Sequence, residues 1–130
     1  MHFVAIVTVL VLAQFLWQGF LVGRARSQYS IAAPAITGHE MFERRFRIHM
    51  NTLEQIVVFV PLMWIFAHYV HPQWAAALGV VFLVGRAVYA RSYMRDPKSR
   101  SLGFGLSAVP MLICMVGIVW AAVRSLLTAA

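Results

Sequence analysis

A bundle of four membrane-spanning helices is the fold this sequence predicts, and three observations predict it. Hydrophobic residues make up 62% of the chain and charged residues 12%, about half the charged share usual in soluble domains. The apolar residues gather into four runs, each long enough to cross a hydrocarbon layer of about 30 Å at about 1.5 Å per helical residue. Ten of the eleven basic residues fall in two blocks, Arg24 to Arg47 and Arg86 to Arg100, and the connection between the second and third runs holds none.

The first helix is expected over residues 3–22, interrupted only by Thr8, Gln14 and Gln18. Its opening, "MHFVAIVTVLVLAQFLWQGFLVG", lacks a basic leader and a small-residue cleavage site, and its apolar stretch is too long for a signal peptide, so it reads as a retained span. The polar segment that follows carries Pro34 and Gly38 as breakers. A second helix is expected over 41–70, charged in its first turns and mainly apolar in the remainder, with only the stretch from about Leu53 onward needing to sit in hydrocarbon. The "HPQ" turn closes it, and a third helix over 74–94 begins apolar and ends basic. After "RDPKSRSLGFG" the fourth runs over 106–124. Pro61 and Pro110 fall inside spans two and four and predict kinks unless neighbours satisfy the freed carbonyls. No repeat, low-complexity tract or boundary divides residues 1–130, so a single membrane domain is expected.

The positive-inside rule sends both basic blocks to the cytoplasm and both termini to the far side. All four acids, Glu40, Glu43, Glu54 and Asp96, fall on or near the same cytoplasmic half. A formal net charge of +7 suits anionic lipid or a small anion; nucleic acid is not expected as a partner, because no soluble domain presents a groove-reading element. The single cysteine, Cys114, lies in an apolar run and supports neither a disulfide framework nor a cysteine-based metal site.

On a helix, Glu43, Arg47, Asn51 and Glu54 recur at steps of four, four and three and share one face. On the third helix Arg86, Tyr89 and Tyr93 form a second polar stripe at the same depth. Ionisable groups at membrane depth face a bundle interior or a wet cavity. One reading makes the two stripes structural, Arg47 pairing with Glu43 and Glu54 with Arg86. The other is a cationic pocket with one acid, suited to a small zwitterion bearing two carboxylates.

The run "FERRFRIHMNTLEQ" (Phe42 to Gln55) resembles the E-R-x-x-R-x-x-x-N-x-x-E signature of the membrane-associated proteins in eicosanoid and glutathione metabolism, the MAPEG family. The segment from Gly85 to Arg100, which ends "YARSYMRDPKSR", is similar to the family's third-helix segment, and "GRARSQYSIAAPAITG" to its first loop. The resemblance covers nearly the whole chain. It implies a homotrimer of four-helix subunits binding glutathione between neighbours toward the cytoplasmic side. It also implies a transferase, or peroxidase, that presents the glutathione thiolate to lipophilic electrophiles or hydroperoxides arriving from the bilayer. By resemblance to members with leukotriene C4 synthase activity, Arg26, Arg47, Asn51, Glu54, Tyr89 and Tyr93 bind glutathione, His49 stands where a glutamine does so, and Arg100 stabilises the thiolate. The short loops look like those of bacterial members, which implies an inner-membrane location.

These implied roles have a physical basis. Glutathione carries two carboxylates, an ammonium and a thiol, so Arg26 and Arg47 suit the carboxylates and Glu54 the ammonium. Asn51 both donates and accepts. A guanidinium beside the thiol favours the thiolate; Arg100 holds that position, and Lys98 could replace it on charge grounds alone. Gln55 stands where the leukotriene enzyme has a tyrosine and His49 where it has a glutamine, so leukotriene synthesis is not predicted.

Two other functions compete. A lipid-binding scaffold of the same family would bind fatty acid without chemistry, which the retention of Arg100, Asn51 and Glu54 argues against. A small multidrug exporter would use Glu54 for proton coupling, which its arginine-rich surroundings disfavour. His68 and His71 have no evident third ligand, and no metal is expected. Trp17, Trp64, Trp74 and Trp120 read as interfacial anchors or lipid-facing packing, Cys114 as an inert core thiol, and Asp96 with Pro97 as a helix stop. Headgroup binding by "RDPKSR" is the competing reading for Lys98.

Overall fold

The computed structural model describes residues 1–129. Four long helices form the molecule: α1 (His2–Tyr29), α2 (Glu40–Tyr69), α3 (Pro72–Arg95) and α4 (Ser101–Ala129), with a 3₁₀ turn at Pro97–Ser99 before α4. All four are long and apolar enough to cross a membrane, so the chain is a multi-pass integral membrane protein. Helices α2 and α3 each pack against the other three and form the centre of the bundle. α1 and α4 flank them and turn apolar residues such as Phe3, Leu16, Leu112 and Val116 outward.

The main core joins all four helices through Val11, Phe59, Phe82, Met63 and Cys114, with the Phe59 and Phe82 rings stacked 4.1 Å apart between α2 and α3. A smaller cluster of Val22, Ala25, Ile31 and Phe42 closes the end that bears the basic connections. Helix approach depends on missing side chains, as expected where lipid supplies no hydrophobic drive and close packing must. A Cβ on Gly79 would lie 2.5 Å from the Val7 side chain, and one on Gly117 would lie 2.5 Å from the Phe66 ring.

The end of α2 falls within one residue of expectation. The other helices are longer than expected. α1 continues beyond Val22 to Tyr29 and stops only at Ser30, which takes a left-handed conformation at φ 55°. Nothing local breaks it sooner, and the added turns bury Ala25 against Phe42. α3 starts at Pro72, whose missing N–H loses nothing in a first turn, and His71 caps it by accepting from the Gln73 N–H at 3.2 Å. α4 begins at Ser101 and not at Leu106, because Gly103 lies directly against α3. Both Pro61 and Pro110 sit within uninterrupted helices. Asp96 ends α3 and caps the following turn, accepting from the Lys98 N–H at 3.0 Å. The Trp64 indole donates to the Thr8 hydroxyl at 3.0 Å, and all four tryptophans keep part of their surface exposed.

Candidate functional site

Near the basic end, a cavity of about 410 Å³ is lined by Arg47 and Asn51 of α2, Tyr89 of α3, Lys98 of the 3₁₀ turn, and Arg100, Ser101 and Phe104 at the start of α4. Three cations and an amide therefore meet at one hollow, and no carboxylate lines its wall. Glu54 is the acid beside Arg47 and Asn51. Its Oε1 lies 3.7 Å from Arg47 Nη1, and its Oε2 lies 3.5 Å from Asn51 Nδ2.

The expected structural pairs are not formed. Arg47 reaches Glu54 and not Glu43, and Arg86 is held by Asn51 and Thr52 and not by Glu54. The reason lies in solvation. The Arg47 and Glu54 side chains keep 51% and 56% of their exposure, so their long contact contributes little and leaves both free to take a ligand. Arg86 is 0% exposed, and a delocalised guanidinium at that depth takes neutral oxygen acceptors from the facing helix.

Arg86 Nη2 donates to Asn51 Oδ1 and to Thr52 Oγ1, each at 2.9 Å, while its guanidinium lies 4.2 Å from the Tyr89 ring centre. This arginine thereby sets two walls of the cavity: it orients the Asn51 amide, leaving Nδ2 toward Glu54, and it backs the buried Tyr89 ring. Its Nε and Nη1 have no partner. Replacement with methionine is expected to leave the Asn51 and Thr52 oxygens without a donor and to destabilise the protein by about 1–3 kcal/mol. Thermal unfolding in detergent measures that loss.

Tyr93 stacks on Tyr89 at 5.6 Å and extends the α3 wall. Two expected site residues lie elsewhere in the same chain. His49 projects from another face of α2, stacked on Phe15 at 4.4 Å and resting against Gly19 of α1. Arg26 sits on the last turns of α1, donating to the Ala35 carbonyl at 2.6 Å and lying over Phe42 at 4.8 Å. Within one subunit the structure thus brings together Arg47, Asn51, Tyr89 and Arg100, with Glu54 and Tyr93 adjacent, and leaves His49 and Arg26 outside the cavity.

The close approach of α3 and α4 fixes this arrangement. A Cβ on Gly103 would lie 2.3 Å from the Tyr89 backbone nitrogen, and one on Gly85 would lie 2.8 Å from the Leu106 carbonyl carbon. Backbone contact at both points ties the start of α4, which carries Arg100, to the turn of α3 that carries Tyr89.

The MAPEG family model matches residues 4–124. The chain belongs to the MAPEG family. The match spans all four helices, so the cavity sits within a MAPEG domain and is not an appendage to it. Among similar proteins, an uncharacterized Synechocystis protein, sll1147, is 43% identical over 113 residues, covering 87% of this chain and 82% of that protein. Human microsomal glutathione S-transferase 2 is 34% identical over 114 residues, covering 87% of this chain and 78% of its own length. The mouse protein of the same name is 40% identical over 93 residues, covering 72% of this chain and 61% of its own.

Several residues that line or shape this cavity are not picked out from the sequence. Thr52, Ser101 and Phe104 do not stand out, and Gly103 reads only as part of a loop. Thr52 has a usable signal, since it lies beside Asn51 and a buried arginine needs more than one acceptor. Phe104 and Ser101 have none, because the apolar run of α4 begins after them.

Proposed function

We propose that this protein is a membrane glutathione transferase that binds glutathione in the cavity between Arg47 and Arg100 and presents its thiolate to lipophilic electrophiles from the bilayer. The observation that carries this reading is the meeting of Arg47, Lys98 and Arg100 at one hollow with Asn51 and Glu54 beside it. Three cations and one acid complement two carboxylates, a thiolate and an ammonium. The cavity volume of about 410 Å³ also lies within the range of small-ligand sites. Family membership and the names of its relatives support the same substrate.

In this reading Arg47 takes a glutathione carboxylate, Glu54 takes the ammonium, and Asn51, held by Arg86, bridges the two. Tyr89 and Tyr93 line the wall along the peptide. Arg100 and Lys98 face the thiol end, where positive charge favours loss of the thiol proton to solvent. The thiolate then attacks the electrophile, an S–C bond forms, and the leaving group departs with the electron pair. Arg26 and His49 complete the site from a neighbouring subunit of a homotrimer, which accounts for their position on faces turned away from the cavity of their own chain. The basic connections α1–α2 and α3–α4 face the cytoplasm of a bacterial inner membrane, by the same charge asymmetry that orients membrane helices generally.

Glu54→Gln separates this function from proton-coupled export. It is expected to weaken glutathione binding about tenfold, the effect of removing a charge-assisted hydrogen bond, as read by titration calorimetry on the detergent-solubilised protein. Unchanged glutathione affinity, together with loss of binding to a lipophilic cation, would instead assign Glu54 to export.

A further inference from the structure

A second hollow lies on another face of α2, enclosed by α1, α2 and α3. It measures about 460 Å³, and its apolar wall is formed by Trp17, Leu21, Ile48, Ala87 and Ala90. Arg45, Arg91 and Arg95 also line it. It continues into a smaller hollow of about 260 Å³ that shares Leu21, Arg45 and Met94 and adds Arg24. None of the four acids of the chain lines either space.

The neighbouring Arg44, by contrast, has both terminal guanidinium nitrogens engaged. It pairs with Glu40 and donates to the Met94 and Arg95 carbonyls at 2.8 and 3.2 Å. That pairing engages Glu40, the acid one turn before Arg44, and leaves the arginines of the groove without a carboxylate. A second, independent feature lies on the wall. Gln18 is 6% exposed, and its Oε1 has no partner. Gln14 lines the same groove, donating through Nε2 to the Leu83 carbonyl at 3.1 Å while its own Oε1 is likewise unpartnered. Acceptors buried at membrane depth call for a donor.

We propose that this groove binds an anionic lysophospholipid. Its single acyl chain lies along Trp17, Leu21, Ile48, Ala87 and Ala90, its phosphate sits among Arg45, Arg91 and Arg95, and its free glycerol hydroxyl donates to Gln18. Basic pockets between membrane helices recognise anionic headgroups, which accounts for the arginines. The unpartnered glutamine oxygens select the monoacyl form, since a diacyl lipid has an ester where the hydroxyl would be. The site is distinct from the glutathione cavity and shares no lining residue with it.

The test is equilibrium binding of labelled lysophosphatidylglycerol, below its micelle-forming concentration, to the full chain in nanodiscs of zwitterionic lipid. Saturable binding of one molecule per chain is expected, with no competition from lysophosphatidylcholine or inorganic phosphate. Arg45→Gln and Arg91→Gln should each weaken it about fivefold, and Gln18→Leu should erase the preference over diacyl phosphatidylglycerol, thermal unfolding confirming that each variant is folded. Equal binding of lysophosphatidylcholine would overturn the proposal by reducing the site to an apolar groove. Displacement by inorganic phosphate alone would make it a free-anion site, and equal affinity for the diacyl lipid in the unmutated protein would remove the role of Gln18.

Discussion

Arg100→Ala is expected to lower glutathione conjugation on the order of 100-fold in kcat, the usual effect of removing a group that stabilises developing negative charge, while KM for glutathione changes far less. Arg100 stands at the turn into α4 and lines the cavity beside Lys98. A free thiol has a pKa of about 8.5, so only a few per cent is thiolate at neutral pH. A cation at the sulfur raises that fraction, and its contribution falls on the reacting form and not on the peptide backbone of the ligand. The split between kcat and KM follows from this. Arg47→Ala should show the opposite pattern, a raised KM with a smaller change in kcat, because a carboxylate is held equally in ground and transition states. Steady-state kinetics with an activated aryl chloride measures both. Lys98→Ala, which leaves Arg100 in place, should reduce kcat less.

Gly103→Ala should destabilise the protein by about 3 kcal/mol, at the upper end of overpacking effects, and should weaken glutathione binding with it. The added methyl would lie 2.3 Å from the Tyr89 nitrogen and 2.4 Å from its Cα. Both are backbone atoms, so no rotamer change relieves the overlap and α4 must move away from α3. That movement carries Arg100, Ser101 and Phe104 away from Tyr89, which ties stability and binding together. Gly105, two residues on, is the control. A Cβ there meets nothing within 4 Å, and Gly105→Ala should stabilise the helix by about 0.5–1 kcal/mol through propensity alone. Thermal unfolding in a fixed detergent, with and without glutathione, distinguishes the two.

The bundle is legible in the sequence because its signals are local and strong. Four long apolar runs separated by polar segments admit few other arrangements, and α2 agrees within a residue because His39 caps its start, accepting from the Met41 N–H at 3.1 Å, and the HPQ turn marks its end. The face shared by Arg47, Asn51 and Glu54 follows from helical spacing alone. The extension of α1 to Tyr29 is not legible, since Gly23 resembles a stop yet lies in open space and tolerates the helix. Gly103 and Gly105 likewise resemble a loop, although Gly103 marks the place where two helices touch.

Spacing shows which residues share a face but not what stands opposite. Charge alone matches Arg86 to Glu54, and the structure matches it to Asn51 and Thr52 because burial favours neutral acceptors over a half-exposed carboxylate. The positions of Arg26 and His49 are illegible for a related reason. Their likeness to glutathione-binding positions carries no information on where they sit in the fold, and in the chain they turn toward α1, the first connection and Phe42.

The proposed role of the cavity is to ionise glutathione. Ultraviolet difference absorbance at the thiolate band, followed while glutathione is titrated into purified protein at neutral pH with Arg100→Ala alongside, tests it most directly. A saturable thiolate signal is expected, and it should be lost in the variant while glutathione still binds. A folded protein that gives no thiolate signal, or one whose signal is unchanged in Arg100→Ala, would contradict it.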